Sequence, residues 1–353
     1  MVSSGASLLI ELTEGTWTSS LGRTIARFKP TGLVFRKLIS PDASLELCRE
    51  AARVLDVLPF IAIEEEGDGA LTGLFPPLPR VLTLKLAQAA DAGQLIGRAM
   101  SAFGLNLNLA PTLDVEPPAP TMSGVEETSC AKESPPAEVA RRAESFVRAL
   151  SSQHVLCCGR HFPGLPLRTA ARPEEPEGKP IVVERSLAAL WREDLVPYRT
   201  LGDKLATVEI SHAVHRAYDY EFLQPASLSS GVIEGLLRTK LRYEGLALAN
   251  GPLAAEAAGV DLDEAVIRAL AAGCDLVTVP AEPKLLEGIC QSVERATDAG
   301  RLSSARLSEA TRRVKAVRKL LRRPARQMSK RQYSRLERDW EHFARNWTDR
   351  SDA

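Results

Sequence analysis

Six polar residues stand where short apolar runs end. Glu64 follows Phe60–Ile63, Asp114 follows Leu105–Leu109, and Arg160 and His161 follow Val155–Cys158. His212 follows Ala206–Ile210, and Asn250 closes Leu246–Ala249. Carboxylates and imidazoles gathered in one pocket can move protons. A guanidinium beside them can hold polar groups of a ligand. Asn250 differs in kind: a neutral amide is a weak nucleophile and lends no negative charge to a cationic transition state. Each residue also has a structural explanation. Asp114 can tie down a loop, Arg160 and His161 can pack and hydrogen-bond at a barrel mouth, His212 can be an ordinary strand-end residue, and Asn250-Gly251 is a favoured turn pair. Their shared position at strand ends is what marks them as one site.

The elements that must position them alternate. Eight apolar, strand-like runs lie at Leu8–Leu12, Gly32–Phe35, Phe60–Ile63, Leu105–Leu109, Val155–Cys158, Ala206–Ile210, Leu246–Ala249 and Leu276–Val279. Amphipathic stretches such as Ala43–Val57, Leu84–Phe103, Pro136–Gln153, Ser186–Leu201, Ser229–Leu241 and Leu262–Ala272 separate most of them. Continuous apolar strands alternating with helices predict a parallel sheet covered by helices, an α/β fold. Eight units predict a TIM-type (β/α)8 barrel in a single domain over residues 1–322. A doubly wound open sheet is disfavoured because no GxGxxG follows the first strand. All six polar residues then belong to the C-terminal face, where the long connections 111–136 and 163–180 also fall.

Residues 323–353 read as a short, basic helical extension. Tyr333, Leu336, Trp340, Phe343 and Trp347 recur at spacings of three and four, one apolar stripe on a helix. The stripe is expected to pack on the barrel. A protein partner, or self-association through this helix, is the alternative use.

Charge and cysteine content narrow the function. The 353 residues carry 45 basic and 45 acidic side chains, an even balance that argues against nucleic-acid binding. No apolar run approaches the ~20 residues that span a bilayer, so no membrane association is expected. The opening residues show no secretory pattern, and the expected location is cytoplasmic. Six cysteines lack the spacing of a zinc site and read as buried thiols. No metal or other cofactor is implied.

Two motifs in order carry a resemblance: Asn108-Leu-Ala-Pro-Thr-Leu-Asp114-Val115 and Gly159-Arg-His-Phe-Pro-Gly164. With Gly245-Leu-Ala-Leu-Ala-Asn250, Glu209-Ile-Ser-His212 and Gly273-Cys-Asp275-Leu276, they resemble family 3 glycoside hydrolases over roughly residues 8–320. The nearest members are the cytoplasmic bacterial β-N-acetylglucosaminidases of cell-wall recycling. The resemblance implies a barrel that hydrolyses O-glycosyl bonds of an amino sugar or peptidoglycan fragment, with no cofactor. It also implies sugar contacts at Glu64, Asp114, Arg160, His161 and His212.

The reactive centre departs from the pattern. The family's Asp nucleophile aligns with Asn250. Its proton-donating His has no counterpart after Gly164, where the chain runs Leu165-Pro-Leu-Arg168. A sugar-holding Asp is Glu64, an Arg is Gly69, and a second Arg aligns with Glu126. The expected function is a catalytically silent homologue that binds a carbohydrate or a partner. The alternative is hydrolysis assisted by the substrate's own 2-acetamido group, with Asn250 orienting it and a Glu among Glu64–Glu66, or Glu174 or Glu175, as acid.

Overall fold

The computed structural model describes residues 3–12, 17–38, 40–115, 135–165, 180–218, 223–323 and 328–351, with side chains as far as 346. Eight parallel strands close a barrel: β1 (Leu8–Leu12), β2 (Gly32–Phe35), β3 (Phe60–Ile63), β4 (Leu107–Asn108), β5 (Leu156–Phe162), β7 (Thr207–Ile210), β9 (Leu246–Asn250) and β10 (Leu276–Pro280). The ring closes where Leu8 of β1 pairs with Val277 of β10. β6 (Val182–Val183) and β8 (Val214–His215) form a separate two-stranded sheet. The predicted fold is therefore the observed one. Glu126, Glu174, Glu175 and the Trp347 side chain lie outside the described residues.

Strand alternation sorts each run into two sets. Leu8, Ile10, Leu12, Leu33, Phe35, Ile61, Ile63, Val208 and Ile210 join the layer packed against the helices. Leu9, Val34, Phe60, Ala62, Leu107, Leu109, Cys158, Leu246, Leu248 and Leu276 fill the barrel. The helix Ser304–Arg318 closes the bottom, with Val314, Val317 and Leu321 packed on that interior cluster. The top is left to polar side chains.

Two helices differ from expectation. The segment expected as one helix over 186–201 is two, Leu187–Arg192 and Leu195–Leu201. Pro197 cannot donate to the carbonyl of Glu193, and the chain breaks there. The segment Gly231–Lys240 is wound as a π-helix, closed by Leu241 N–H donating to Leu236 O at 2.9 Å.

The terminal helix Lys330–Ser351 lies on the helix Leu86–Ala102. Leu336 and Trp340 are buried. The Trp340 ring stacks on Phe75 at 4.5 Å, and its Nε1–H donates to Pro76 O at 2.8 Å. Leu336 and Trp340 of the stripe are thus used within the chain. No helix among the described residues is long and apolar enough to cross a membrane.

A charged staple holds the bottom of the barrel. Asp275, fully buried at the start of β10, meets Arg238 Nη2 and Arg306 Nη2 at 2.5 Å each and Arg313 Nη1 at 3.3 Å. It also accepts the Ala247 N–H at 3.1 Å. Sequence reading placed Asp275 only in a motif ahead of the last strand; its role is to bind that strand to the π-helix and to the closing helix.

Candidate active site

The strand ends converge on a cavity of about 660 Å³ at the barrel mouth. Glu11, Arg36, Glu64, Asp68, Arg160, His161, Glu209, Asn250 and Thr278 supply its polar lining. A larger hollow of about 1320 Å³ lies among Val147, Tyr198, Lys204, Leu237 and Ala316, away from these residues. The mouth is the better candidate because the fold directs polar residues from the ends of at least six strands into it, at the face where such barrels place their sites.

Asn250 ends β9 and caps the next helix, Gly251–Ala258: its Oδ1 accepts the Leu253 N–H at 3.2 Å. Gly251 is needed at this turn, because a Cβ there would lie 2.5 Å from Thr278 O. The amide therefore borders the cavity while performing a structural task.

Arg160 is the cationic centre. Its Nη2 lies 2.5 Å from Glu64 Oε1 and 3.5 Å from Glu66 Oε1. Burial opposes its charge, but Glu64, Glu209 and Glu66 outweigh this and raise its pKa above the ordinary value. Burial likewise disfavours the Glu64 carboxylate, yet the hydrogen bond and charge of Arg160 hold its pKa below the ordinary value.

The neighbouring glutamates are not acids in waiting. Glu65 is fully buried and turned away from the cavity, accepting from the N–H groups of Gly67, Gly69 and Leu71 at 2.8–3.1 Å. Glu66 accepts from the Thr112 N–H at 2.9 Å and its hydroxyl at 2.7 Å. The expectation of an acid at Glu65 or Glu66 is corrected: loop folding has consumed both. At position 69 a Cβ would collide with Glu64 O, so this loop leaves no room for the arginine of the family pattern.

Asp114 does not line the cavity. It is buried behind His161, where Oδ2 lies 2.8 Å from His161 Nδ1 and Oδ1 accepts the N–H groups of His161 and Leu165 at 3.1 and 2.8 Å. Burial disfavours a charged His161, but the charge and hydrogen bond of Asp114, with the field of Glu209, raise the ring's pKa. Asp114 is thus a positioning residue, not the direct ligand contact expected.

His212 is also outside the lining. Ser211 N–H still donates to Phe162 O at 2.8 Å, extending the ladder one residue past Ile210, and His212 follows it near His161 without joining the cavity lining. Burial, and then the nearby His161, lower its pKa.

The sequence reading missed Glu11 and Glu209 as site residues. A signal existed, because each is a carboxylate inside an otherwise apolar strand. Glu11 pairs with Arg36. Glu209 lines the cavity with 7% exposure, and no hydrogen bond or ion pair among the described residues reaches its carboxylate. No group of three or more His, Cys, Asp or Glu among the described residues is arranged to hold a metal ion.

Beside the mouth lies a buried polar cluster that also escaped the sequence reading. His215 on β8 is fully buried, neither ring nitrogen meets a partner among the described residues, and burial pushes its pKa down to about 4. Asp194, packed against Gly164, is pushed up to about 7, chiefly by burial. A depressed His pKa contributes stability that is fully present above 6.5 and lost as pH falls toward 4; the raised Asp194 works with the opposite sign between 3.8 and about 7. Comparing wild type with His215→Leu isolates the histidine. Between pH 7.5 and 4.5 the wild type is expected to lose on the order of 2–3 kcal/mol relative to the variant in urea unfolding. Parallel pH profiles would show that His215 titrates normally.

Comparisons with known proteins agree with this architecture. The model of the glycosyl hydrolase family 3 N-terminal domain matches residues 58–317. A beta-hexosaminidase of Pseudomonas aeruginosa is 30% identical over 286 residues, covering 76% of this chain and 81% of its own. One of Idiomarina loihiensis is 27% identical over 293 residues, covering 78% and 83%. A family 3 beta-N-acetylglucosaminidase from a Paenibacillus species superposes with a TM-score of 0.80 at 23% identity, over 97% of this chain and 67% of its own. A beta-N-acetylhexosaminidase from Beutenbergia cavernae gives 0.74 at 23% identity, over 90% and 97%. The barrel, its strand-end site and these matches together place the chain in glycosyl hydrolase family 3, among proteins similar to its β-N-acetylglucosaminidases.

Proposed function

We propose that this chain is a family 3 barrel that binds an amino sugar or a peptidoglycan fragment without performing retaining hydrolysis. The observation that carries the reading is Asn250. Two-step retention needs a carboxylate at the anomeric carbon and a proton donor on the leaving oxygen. The residue aligned with the nucleophile is an amide, and its oxygen caps a helix. Among the described residues, the His beside the cavity is locked to Asp114 and lies on the strand rather than on a mobile donor loop. The remaining polar lining suits binding: Arg160, Glu64 and His161 are fixed by ion pairs before any ligand arrives, which lowers the ordering cost of recognition.

Substrate-assisted hydrolysis is the weaker reading. Glu65 and Glu66 are tied up, and Arg160 keeps Glu64 ionised, the wrong state for a proton donor.

Titration of hexosamine mono- and disaccharides into the protein, followed by calorimetry, tests the binding half. Saturable binding that disappears when Arg160 is replaced by Met supports it. An absence of saturable binding by every amino sugar tried would refute it.

A further inference from the structure

The charges around Arg160 do not balance. Elsewhere at the mouth they pair off: Glu11 with Arg36, Asp68 with Arg80 at 3.1 Å, and Asp114 with His161 at 2.8 Å. Arg160 alone faces three carboxylates, Glu64, Glu66 and Glu209. Glu64 and Glu66 approach it closely. Glu209 interacts with it only through the field, and remains without a direct partner among the described residues.

The fold aims Glu209 into the cavity. It pairs across the sheet with Leu248, two residues before Asn250 on the same inward face of β9. The carboxylate is more than nine-tenths buried yet borders a space of about 660 Å³, large enough for a sugar. A desolvated carboxylate is costly until a cation or strong donors meet it. The second cation in the lining, Arg36, is already paired with Glu11, so a ligand that brings a cation of its own to Glu209 gains most.

Resting on the reading of this mouth as an amino-sugar site, we propose that it selects the free-amine form of a hexosamine, with the sugar's ammonium group on Glu209 and its hydroxyls on Arg160 and Glu64. An N-acetylated sugar carries a neutral amide in place of that ammonium and leaves Glu209 unmatched. The ligand class is a 2-amino-2-deoxy sugar unit, as in a de-N-acetylated glycan, rather than a fully acetylated one.

The test is calorimetric titration of the full chain at pH 7 and low salt with glucosamine, N-acetylglucosamine, glucose and a simple amine, cyclohexylamine. Glucosamine is expected to bind at least tenfold more tightly than N-acetylglucosamine or glucose, and cyclohexylamine more weakly than glucosamine. In Glu209→Gln, an isosteric change, the glucosamine preference is expected to vanish. Wild type titrated above the pKa of the sugar amine should lose the same preference, a readout that needs no variant. N-Acetylglucosamine binding as tightly as glucosamine would overturn the inference while leaving the sugar-site reading intact. So would a glucosamine preference unchanged by Glu209→Gln or by deprotonation. Cyclohexylamine binding as tightly as glucosamine would make this an amine site and overturn the sugar assignment. Binding of none of the sugars would overturn both.

Discussion

Replacing Asp275 with alanine is expected to cost about 3–5 kcal/mol of stability, the usual penalty for removing one partner of a buried ion cluster. Three guanidiniums, Arg238, Arg306 and Arg313, would then face one another with side chains only 7–12% exposed. Glu309 at 2.6–2.7 Å from Arg313 and Arg306 would compensate in part. The Ala247 N–H would lose its acceptor as well. Chemical denaturation of wild type and variant measures the difference. A loss below about 1 kcal/mol, typical of exposed ion pairs, would show that the cluster is solvated and not a staple. Because the cluster sits at the face opposite the cavity, ligand binding by the folded variant should be unchanged.

Arg160→Met is the second large effect, again about 3–5 kcal/mol. It removes the guanidinium that Glu64, Glu66 and Glu209 share, and leaves only Arg36, itself paired with Glu11, to act on Glu64 through its field. The sign with pH follows from Glu64. Its pKa is lowered in the folded wild type, so its contribution is present above the unfolded value and is lost as pH falls through the folded one. The gap between wild type and variant should therefore be widest near neutrality and shrink on acidification, as the orphaned carboxylates take up protons. Adding Glu66→Gln to the variant should recover part of the loss. A gap that stays constant from pH 7.5 to 4.5 would mean that lost packing of the arginine stem, not charge, explains the cost.

Much of the architecture was legible because it rests on local patterns. Apolar runs of four to five residues separated by amphipathic stretches give a parallel barrel almost mechanically, and all eight barrel strands overlap the runs read from the sequence. The clustering of Glu64, Arg160, His161 and Asn250 followed from strand ends alone. What stayed hidden depended on side chains meeting across long separations. That Asp114 stands behind His161 depends on the path of the chain after β4, which residue type does not encode. His212 follows a strand and stays near His161, yet it does not line the cavity, a distinction that following a strand does not encode. Glu65 and Glu66 looked available because nothing local shows that loop amides and Thr112 claim them. Glu209 was passed over inside a motif that was read for its histidine. The aromatic stripe of the last helix announced a buried face, but not that Phe75 and Pro76 would meet Trp340.

The most direct measurement is hydrolysis of a fluorogenic β-N-acetylglucosaminide by freshly purified wild type beside Asn250→Ala. An amide at the nucleophile position predicts release at the uncatalysed background in both. Turnover in the wild type that is lost in Asn250→Ala would contradict it, and would mean that this barrel still performs glycoside chemistry through its amide.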